Sequence, residues 1–254
     1  MNIVVPIKLV PDLVEELAIN DDGSALDMDW LSLILNEFDD HAIEQALLLK
    51  EQVGGQVIVV TPEAEGADDA LYAAAAKGVD QLLKLTGDFD EGVNNHVLAQ
   101  AMAAAITGFQ PDVVLTGVQA HNDLDGPLGA LLAGYLNMPY VGYVAGVKVD
   151  GTNTTVLKEY PGGLVAELEV TLPAVFGIQA SEQPPRYVAF SKIRQAMKTA
   201  SITEVPAAEL ALNGGPAVKR LFEPEFGDKA TMIDGDMDEV AIKLVEILQE
   251  HGVV

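Results

Sequence analysis

The residues of this chain best suited to chemistry form one continuous run. Gly117-Val118-Gln119-Ala120-His121-Asn122-Asp123-Leu124-Asp125-Gly126-Pro127-Leu128-Gly129 follows the β-branched stretch Val113 to Thr116 and leads into a small-residue helical pattern, Ala130 to Tyr135. A polar, glycine-containing loop between a strand and a helix is how backbone amides and a helix dipole come to face a phosphate. Pro127 suits a first helical position, where a missing amide hydrogen costs nothing, and Gly126 and Gly129 permit close approach. The run matches neither glycine-rich fingerprint, Walker or dinucleotide. Asp125 is placed to cap the following helix itself, and an ionised carboxylate there competes with a phosphate for the same amides. Spacing alone leaves a nucleotide site and a self-capped loop both open. A cation held by His121, Asn122, Asp123 and Asp125 is a third reading, although a lone histidine among mixed carboxylates in a turn is usually just solvated.

A second constellation is basic. Arg186, Lys192, Arg194 and Lys198 are four of the fourteen cationic residues, gathered in a chain otherwise dominated by acid. Phe190 and Ile193 interleave with them, as in a docking patch with an apolar anchor and steering charges; the alternative is a solvated helix face with Phe190 tucked inward. Hydrolytic machinery is missing as a pattern, with no nucleophile elbow, no paired histidines and no carboxylates at telling spacing. Glu159, ahead of the turn at Pro161, is the one isolated acid of note in its strand region.

The elements that must position these residues follow a βαβ rhythm: Ile3 to Val10, a helix over Asp39 to Gln52, Val57 to Thr61, a helix over Ala67 to Lys77, Gln81 to Thr86, a helix over Val93 to Ile106, then Val113 to Thr116. Strands as apolar as Val57-Ile58-Val59-Val60 are buried on both faces, which predicts an α/β, doubly wound, mostly parallel sheet with right-handed crossovers. In such a sheet ligands bind beyond the strands' carboxyl ends, where strand order reverses. Pro6 to Lys8, Asn36 to Asp40, Thr61 to Pro62 and Gly117 to Gly129 fall there. Asn20 to Ser24 reads as a hairpin turn. From Tyr140 to Ile178 the pattern becomes strands with little helix between, at Thr154 to Leu157, Val165 to Leu172 and Ala174 to Ile178. A proline elbow, Gln183-Pro184-Pro185-Arg186, precedes an amphipathic helix from Ser191 to Lys198. We therefore expect a nucleotide-binding domain over residues 1–200, with 183–198 as a recognition segment. Residues 201–235 are rich in Pro, Gly and Ala, and a helix from Met237 to Glu250 starts on Asp236; residues 201–254 read as an extended arm packing on a partner subunit.

Composition excludes whole classes. With 39 Asp plus Glu against 14 Lys plus Arg, the net charge of -25 repels phosphate backbones and anionic lipid, so neither nucleic acid nor membrane insertion is expected. The absence of cysteine excludes disulfides, thiolate metal sites and cysteine nucleophiles, so redox chemistry requires a bound cofactor. No apolar run approaches the roughly eighteen residues of a membrane span, and Met1 to Val10 lacks the flanks of a signal peptide, so a cytoplasmic or organelle-matrix protein is expected.

Taken together these residues resemble the β subunit of electron transfer flavoprotein over nearly the whole length. The matches run in order: Val5-Pro6-Ile7-Lys8 with Pro11-Asp12; Asn36-Glu37-Phe38-Asp39-Asp40; Lys77-Gly78-Val79-Asp80; Gly117 with Gln119-Ala120; Glu159 with Gly162-Gly163; Leu172-Pro173-Ala174-Val175; and Pro185-Arg186-Tyr187-Val188 with Ile193. The resemblance implies an electron carrier, not itself an enzyme, paired with an α subunit that mainly carries FAD, and an AMP held in the β subunit. It implies flavin dehydrogenases as electron donors and a quinone-linked oxidoreductase as acceptor. Carried over, the nucleotide pocket comprises Pro6, Asn36, Glu37, Phe38, Asp39, Pro62, Gly117, Val118, Gln119, Ala120, His121, Asn122, Asp123, Leu124, Asp125, Gly126, Pro127 and Leu128, with no metal. Docking falls to Glu159, Arg186, Phe190, Lys192, Arg194 and Lys198, with Phe190 in the place of the apolar anchor. The family's loop usually continues Gln-Ala-x-Asp-Asp-Asp, or Gln-Ala-x-Asp-Gly-Asp in electron-bifurcating members; Asn122-Asp123-Leu124-Asp125 reproduces neither. A bifurcating member with a second FAD in place of AMP, or a stand-alone adenine-nucleotide-binding regulator, are the alternatives.

Overall fold

In the computed structural model the described residues are 1–87, 89, 93–151, 153–207, 214–224, 227 and 230–253. The strands are β1 (Asn2–Pro6), β2 (Leu9–Pro11), β3 (Leu33–Leu35), β4 (Gln56–Pro62), β5 (Gln81–Thr86), β6 (Val113–Gly117), β7 (Tyr140–Asp150), β8 (Asn153–Tyr160), β9 (Leu164–Thr171), β10 (Ala174–Ile178) and β11 (Ile202–Pro206). The helices are α1 (Glu37–Val53), α2 (Ala67–Lys77), α3 (Asn95–Thr107), α4 (Leu128–Leu136), α5 (Phe190–Thr199) and α6 (Met237–Glu250). The chain divides into two compact units, Met1–Leu221 and Phe222–Val254.

The first unit is built on a nine-stranded sheet in the order β11-β5-β4-β1-β6-β10-β7-β8-β9. Pairing is parallel from β11 through β7, and β7, β8 and β9 continue it as an antiparallel meander. This is the expected doubly wound, mostly parallel α/β sheet. Burial on both faces is literal: Ile3, Val57, Val59 and Val113 join α1 and α2 in one core, while Val4, Ile58, Val60 and Val114 join α3 and α4 in the other. Met102 and Ala99 of α3 are fully buried core residues. The order turns at β1, which has β4 on one side and β6 on the other, so the loops after β1 and β6 diverge to opposite faces.

Local chemistry sets the element ends. Asn94 caps α3, its side chain accepting from the Val97 amide, and Asn137 closes α4 in the left-handed region at φ 54°. Asp22 accepts from the Ser24 amide and Asn20 pairs with Ala25, making the Asn20 to Ser24 segment a turn closed by an isolated bridge between Ile19 and Leu26.

Two sequence expectations need correction. The run Ile3 to Val10 is not one strand: it leaves the main sheet after Pro6, because the Lys8 amide turns to the Asp39 carboxylate, and Leu9–Pro11 pairs instead with β3 in a small separate ribbon. The sheet also continues past residue 200. Ile202–Pro206 adds a parallel edge strand to β5, with Ile202 and Val205 packed on the two cores and Ala207 buried.

In the second unit, Asp236 and Glu239 close a capping box at the start of α6. Met237, Val240, Leu244, Ile247 and Leu248 form an apolar stripe, yet no residue of the helix is buried. Among the described residues no helix is long and apolar enough to cross a membrane.

Candidate functional site

Five polar side chains, Asp39, Asn36, Lys8, Asp123 and Asn95, organise the carboxyl ends of β1 and β6. Asp39, in the first turn of α1, accepts from the Lys8 amide at 2.9 Å through Oδ2 and from the Gly117 amide at 2.9 Å through Oδ1. One buried carboxylate thus stitches together the two strands at which the sheet order turns. A Cβ on Gly117 would lie 2.4 Å from Asp39 Oδ1 and 2.8 Å from Phe38 Cβ, so only glycine lets α1 approach this closely. Burial raises the Asp39 pKa to about 6, against the opposing pull of its two amide donors and of Lys8. Asn36, also buried, donates from Nδ2 to the Gln119 carbonyl at 3.0 Å and ties the start of α1 to the β6–α4 loop.

Lys8 sends its ammonium under that loop. Its Nζ meets Asp123 Oδ1 at 2.5 Å and Asn95 Oδ1 at 3.3 Å, with both side chains of the ion pair 9% exposed. A buried pair of this kind stands only where further hydrogen bonds satisfy both ions. Asn95 Nδ2 supplies one, to Asp123 Oδ1 at 2.7 Å, and the Ala120 amide another, to Asp123 Oδ2 at 2.8 Å; Asn95 Nδ2 also donates to the Gly126 carbonyl at 2.8 Å.

Asp125 does not cap the helix that follows it. Its oxygens accept from the amides of Asn95 and His96 at 3.1 and 3.2 Å, at the start of α3. The self-capping expectation therefore fails for a tertiary reason: α3 brings its own unsatisfied amides within reach. The first turn of α4 is left with no side-chain cap, Pro127 standing at the N-cap position just ahead of it.

The structure gathers Pro6, Asn36 to Asp39, Pro62 and the loop 117–128 at one end of the sheet. Pro6, Pro62, Asn36, Asp39, Gly117, Val118, Ala120 and Leu128 are buried; Glu37, Gln119, His121, Asn122, Leu124 and Pro127 are exposed. The buried members of this group pack into the sheet's carboxyl end, while the side chains of the exposed ones reach solvent beside them. Asn95 lay outside the sequence reading, since an asparagine beside an N-cap asparagine carries no signal of a contact thirty residues away.

The docking constellation divides. Arg186 is not a free steering charge: its Nε and Nη2 reach Glu44 at 2.8 to 3.0 Å, and Nη1 reaches Glu51 at 2.9 Å, both on α1. Burial alone would raise the Glu44 pKa, and Arg186 overrides it and holds that carboxyl below its usual range. Arg186, with the His41 to Ser181 hydrogen bond at 2.9 Å, anchors the base of the 183–198 segment instead. Lys192, Arg194 and Lys198 are exposed on α5. Phe190 is 63% exposed, not tucked inward, and the Arg194 guanidinium lies 4.6 Å from its ring centre. Glu159 is exposed on β8, opposite Val165.

Residues 31–210 match the family model described as the electron transfer flavoprotein domain. Along 98% of both chains, this sequence is 34% identical to the electron transfer flavoprotein subunit beta of Methylophilus methylotrophus. The proteins of the same description from Clostridium acetobutylicum and Thermoanaerobacterium thermosaccharolyticum are 32% and 31% identical, over 99% and 100% of both chains.

Proposed function

This chain belongs to the electron transfer flavoprotein family, among its β subunits, and on that premise we propose that it is the β half of a heterodimeric carrier, with an adenine nucleotide in its own fold and FAD held mainly by an α subunit. Electrons come from flavin dehydrogenases and leave to a quinone-linked oxidoreductase; the chain catalyses no reaction alone and works in the cytoplasm. The observation that carries this reading is the end-to-end similarity to proteins named as that subunit. FAD supplies the redox chemistry when bound.

The residues at the strand tips fit an adenylate. The α4 amides are uncapped, Gly117 lets α1 pack close against the β6 tip and Gly129 lets the first turn of α4 sit close on Thr116, and Asp123 and Asp125 are already engaged by Lys8, Asn95 and the α3 amides. The carboxylates that seemed to compete with a phosphate are thereby neutralised or turned away. Asn36, Gln119 and loop 120–128 would hold the nucleotide mostly through backbone atoms. Denaturing the purified protein and weighing the released small molecules tests this directly. AMP alone, with FAD in proportion to an α chain, is expected; FAD at two per complex would make it a bifurcating subunit, and a colourless single chain would overturn the carrier reading.

The segment 183–198 is the docking element, with Phe190 its anchor. Phe190→Ala is expected to weaken dehydrogenase docking by more than about 1 kcal/mol while leaving flavin content unchanged. Electron-transfer kinetics at varied dehydrogenase concentration measure it, and an unaltered concentration dependence would remove Phe190 from the interface.

A further inference from the structure

Three glycines on three different elements make room for one ring. A Cβ on Gly129 of α4 would lie 3.2 Å from Tyr140 Cε2, one on Gly142 of β7 2.8 Å from its Oη, and one on Gly177 of β10 2.5 Å from the same oxygen. Tyr140 opens β7, level with Val175 of β10. Its side chain packs on the core face shared with α3 and α4, so the ring runs along the strands toward their carboxyl ends. Val118 Cα, the first residue after β6, is 3.3 Å from the same Gly177 position. The phenol therefore arrives beside the loop 117–128 and beneath the uncapped first turn of α4.

At that place two polar atoms lack partners. Thr116 Oγ1, on a side chain 1% exposed, accepts and donates nothing among the described residues, and it lies 2.3 Å from where a Gly129 Cβ would be, aimed into the α4 turn. No hydrogen bond among the described residues engages Tyr140 Oη either. Burying the Thr116 hydroxyl without a partner is costly, and folding by itself gains nothing from three glycines that clear the way for the Tyr140 hydroxyl, which is only part-buried.

We propose that the Tyr140 hydroxyl is a specificity-determining donor to the phosphate of an adenine nucleotide seated on loop 117–128. The inference rests on the nucleotide reading above and adds a residue to it. Burial, followed by the charges of Tyr143 and Asp123, pushes the phenol's pKa up to about 12, so it stays a neutral donor throughout the physiological range. Because Lys8 holds Asp123 in an ion pair, the nearby carboxylate does not leave a net negative charge facing the ligand.

The test is Tyr140→Phe, which keeps the ring in its slot and removes only the hydroxyl. Full-length protein, purified with the subunit it assembles with and stripped of nucleotide, is titrated calorimetrically with AMP and with adenosine. The AMP dissociation constant is expected to rise roughly tenfold, the size of one hydrogen bond to a charged group, while adenosine affinity and melting temperature stay at wild-type values. Wild-type AMP affinity in the variant, or an equal loss for AMP and adenosine, would overturn the assignment and leave the nucleotide site standing. Failure of the unmutated protein to bind AMP or FAD would instead bring down the nucleotide reading, and this one with it.

Discussion

A chain ending at residue 221 is expected to melt at the temperature of the full-length protein and to lose its α partner completely. Residues 222–254 contribute a helix with no buried residue and an apolar stripe of exposed Met237, Leu244, Ile247 and Leu248 with half-exposed Val240. Such a helix adds little to the stability of its own chain, because tertiary burial of the apolar face supplies most helical stability. That stripe suits burial against a second subunit, which is why we assign the terminal segment as an arm. The cut must fall there and not at residue 200. Ending the chain at 200 strips β11 from the sheet edge, removes buried Ala207 and exposes the outer side of β5, so it lowers stability whatever the arm does. Co-purification with the α chain and thermal unfolding of both truncations separate the two effects. A 1–221 protein that still retains its partner would show that the arm is dispensable.

The largest effect of a single substitution is expected at Asp39. Both of its oxygens accept from buried amides, of Lys8 and Gly117, and asparagine offers one acceptor and one donor. Asp39→Asn sets an NH2 group against an N–H that has nowhere else to turn, and should cost about 2–4 kcal/mol in urea unfolding. Bound nucleotide should be lost with it, since the β1 and β6 tips would part. A protonated carboxyl is not equivalent to the amide: its hydroxyl oxygen can still accept while its hydrogen turns aside. The pH dependence follows from this. The folded-state pKa of about 6 lies above the ordinary value of 3.8, so the native state holds the proton more tightly than the unfolded state. The stability contributed by that protonation is complete below the unfolded value and is lost as pH rises through about 6. The advantage of the wild type over the non-titrating variant should therefore be greatest near pH 4 and shrink toward pH 7. An advantage that grows across that window would refute the assignment of Asp39 as a buried, proton-retaining clamp.

The strands and helices were legible because each carries its own signature. Val57-Ile58-Val59-Val60 can only be buried on both sides, Asp236 announces a helix start, and Asn20 to Ser24 announces a turn. The loop 117–128 was legible as the strand-to-helix turn between β6 and α4 for the same reason, its composition being that of such a turn. Illegible were β11, whose Ile202-Thr203-Glu204-Val205-Pro206 is too short and polar to register as a strand without β5 beside it, and the partners of the charged residues. Asp125 looked like a cap for the helix after it and serves the helix before it; Arg186 looked like a surface charge and is bound to Glu44 and Glu51.

By its own pattern, then, this sequence determined a doubly wound α/β sheet, the segments that meet at its carboxyl edge, and its kinship with electron transfer flavoprotein β subunits. Tertiary structure decided which of those segments' side chains remain available. Hydrophobic period is a property of neighbours along the chain and survives without knowledge of the fold. A carboxylate's role depends on which amide or ammonium lies within 3 Å of it, and for Asp39, Asp123 and Asp125 those groups come from strands and helices far away in sequence. The slot that admits Tyr140 belongs to the same class: no single one of Gly129, Gly142 and Gly177 signals it, and only the packing of α4, β7 and β10 makes it a place.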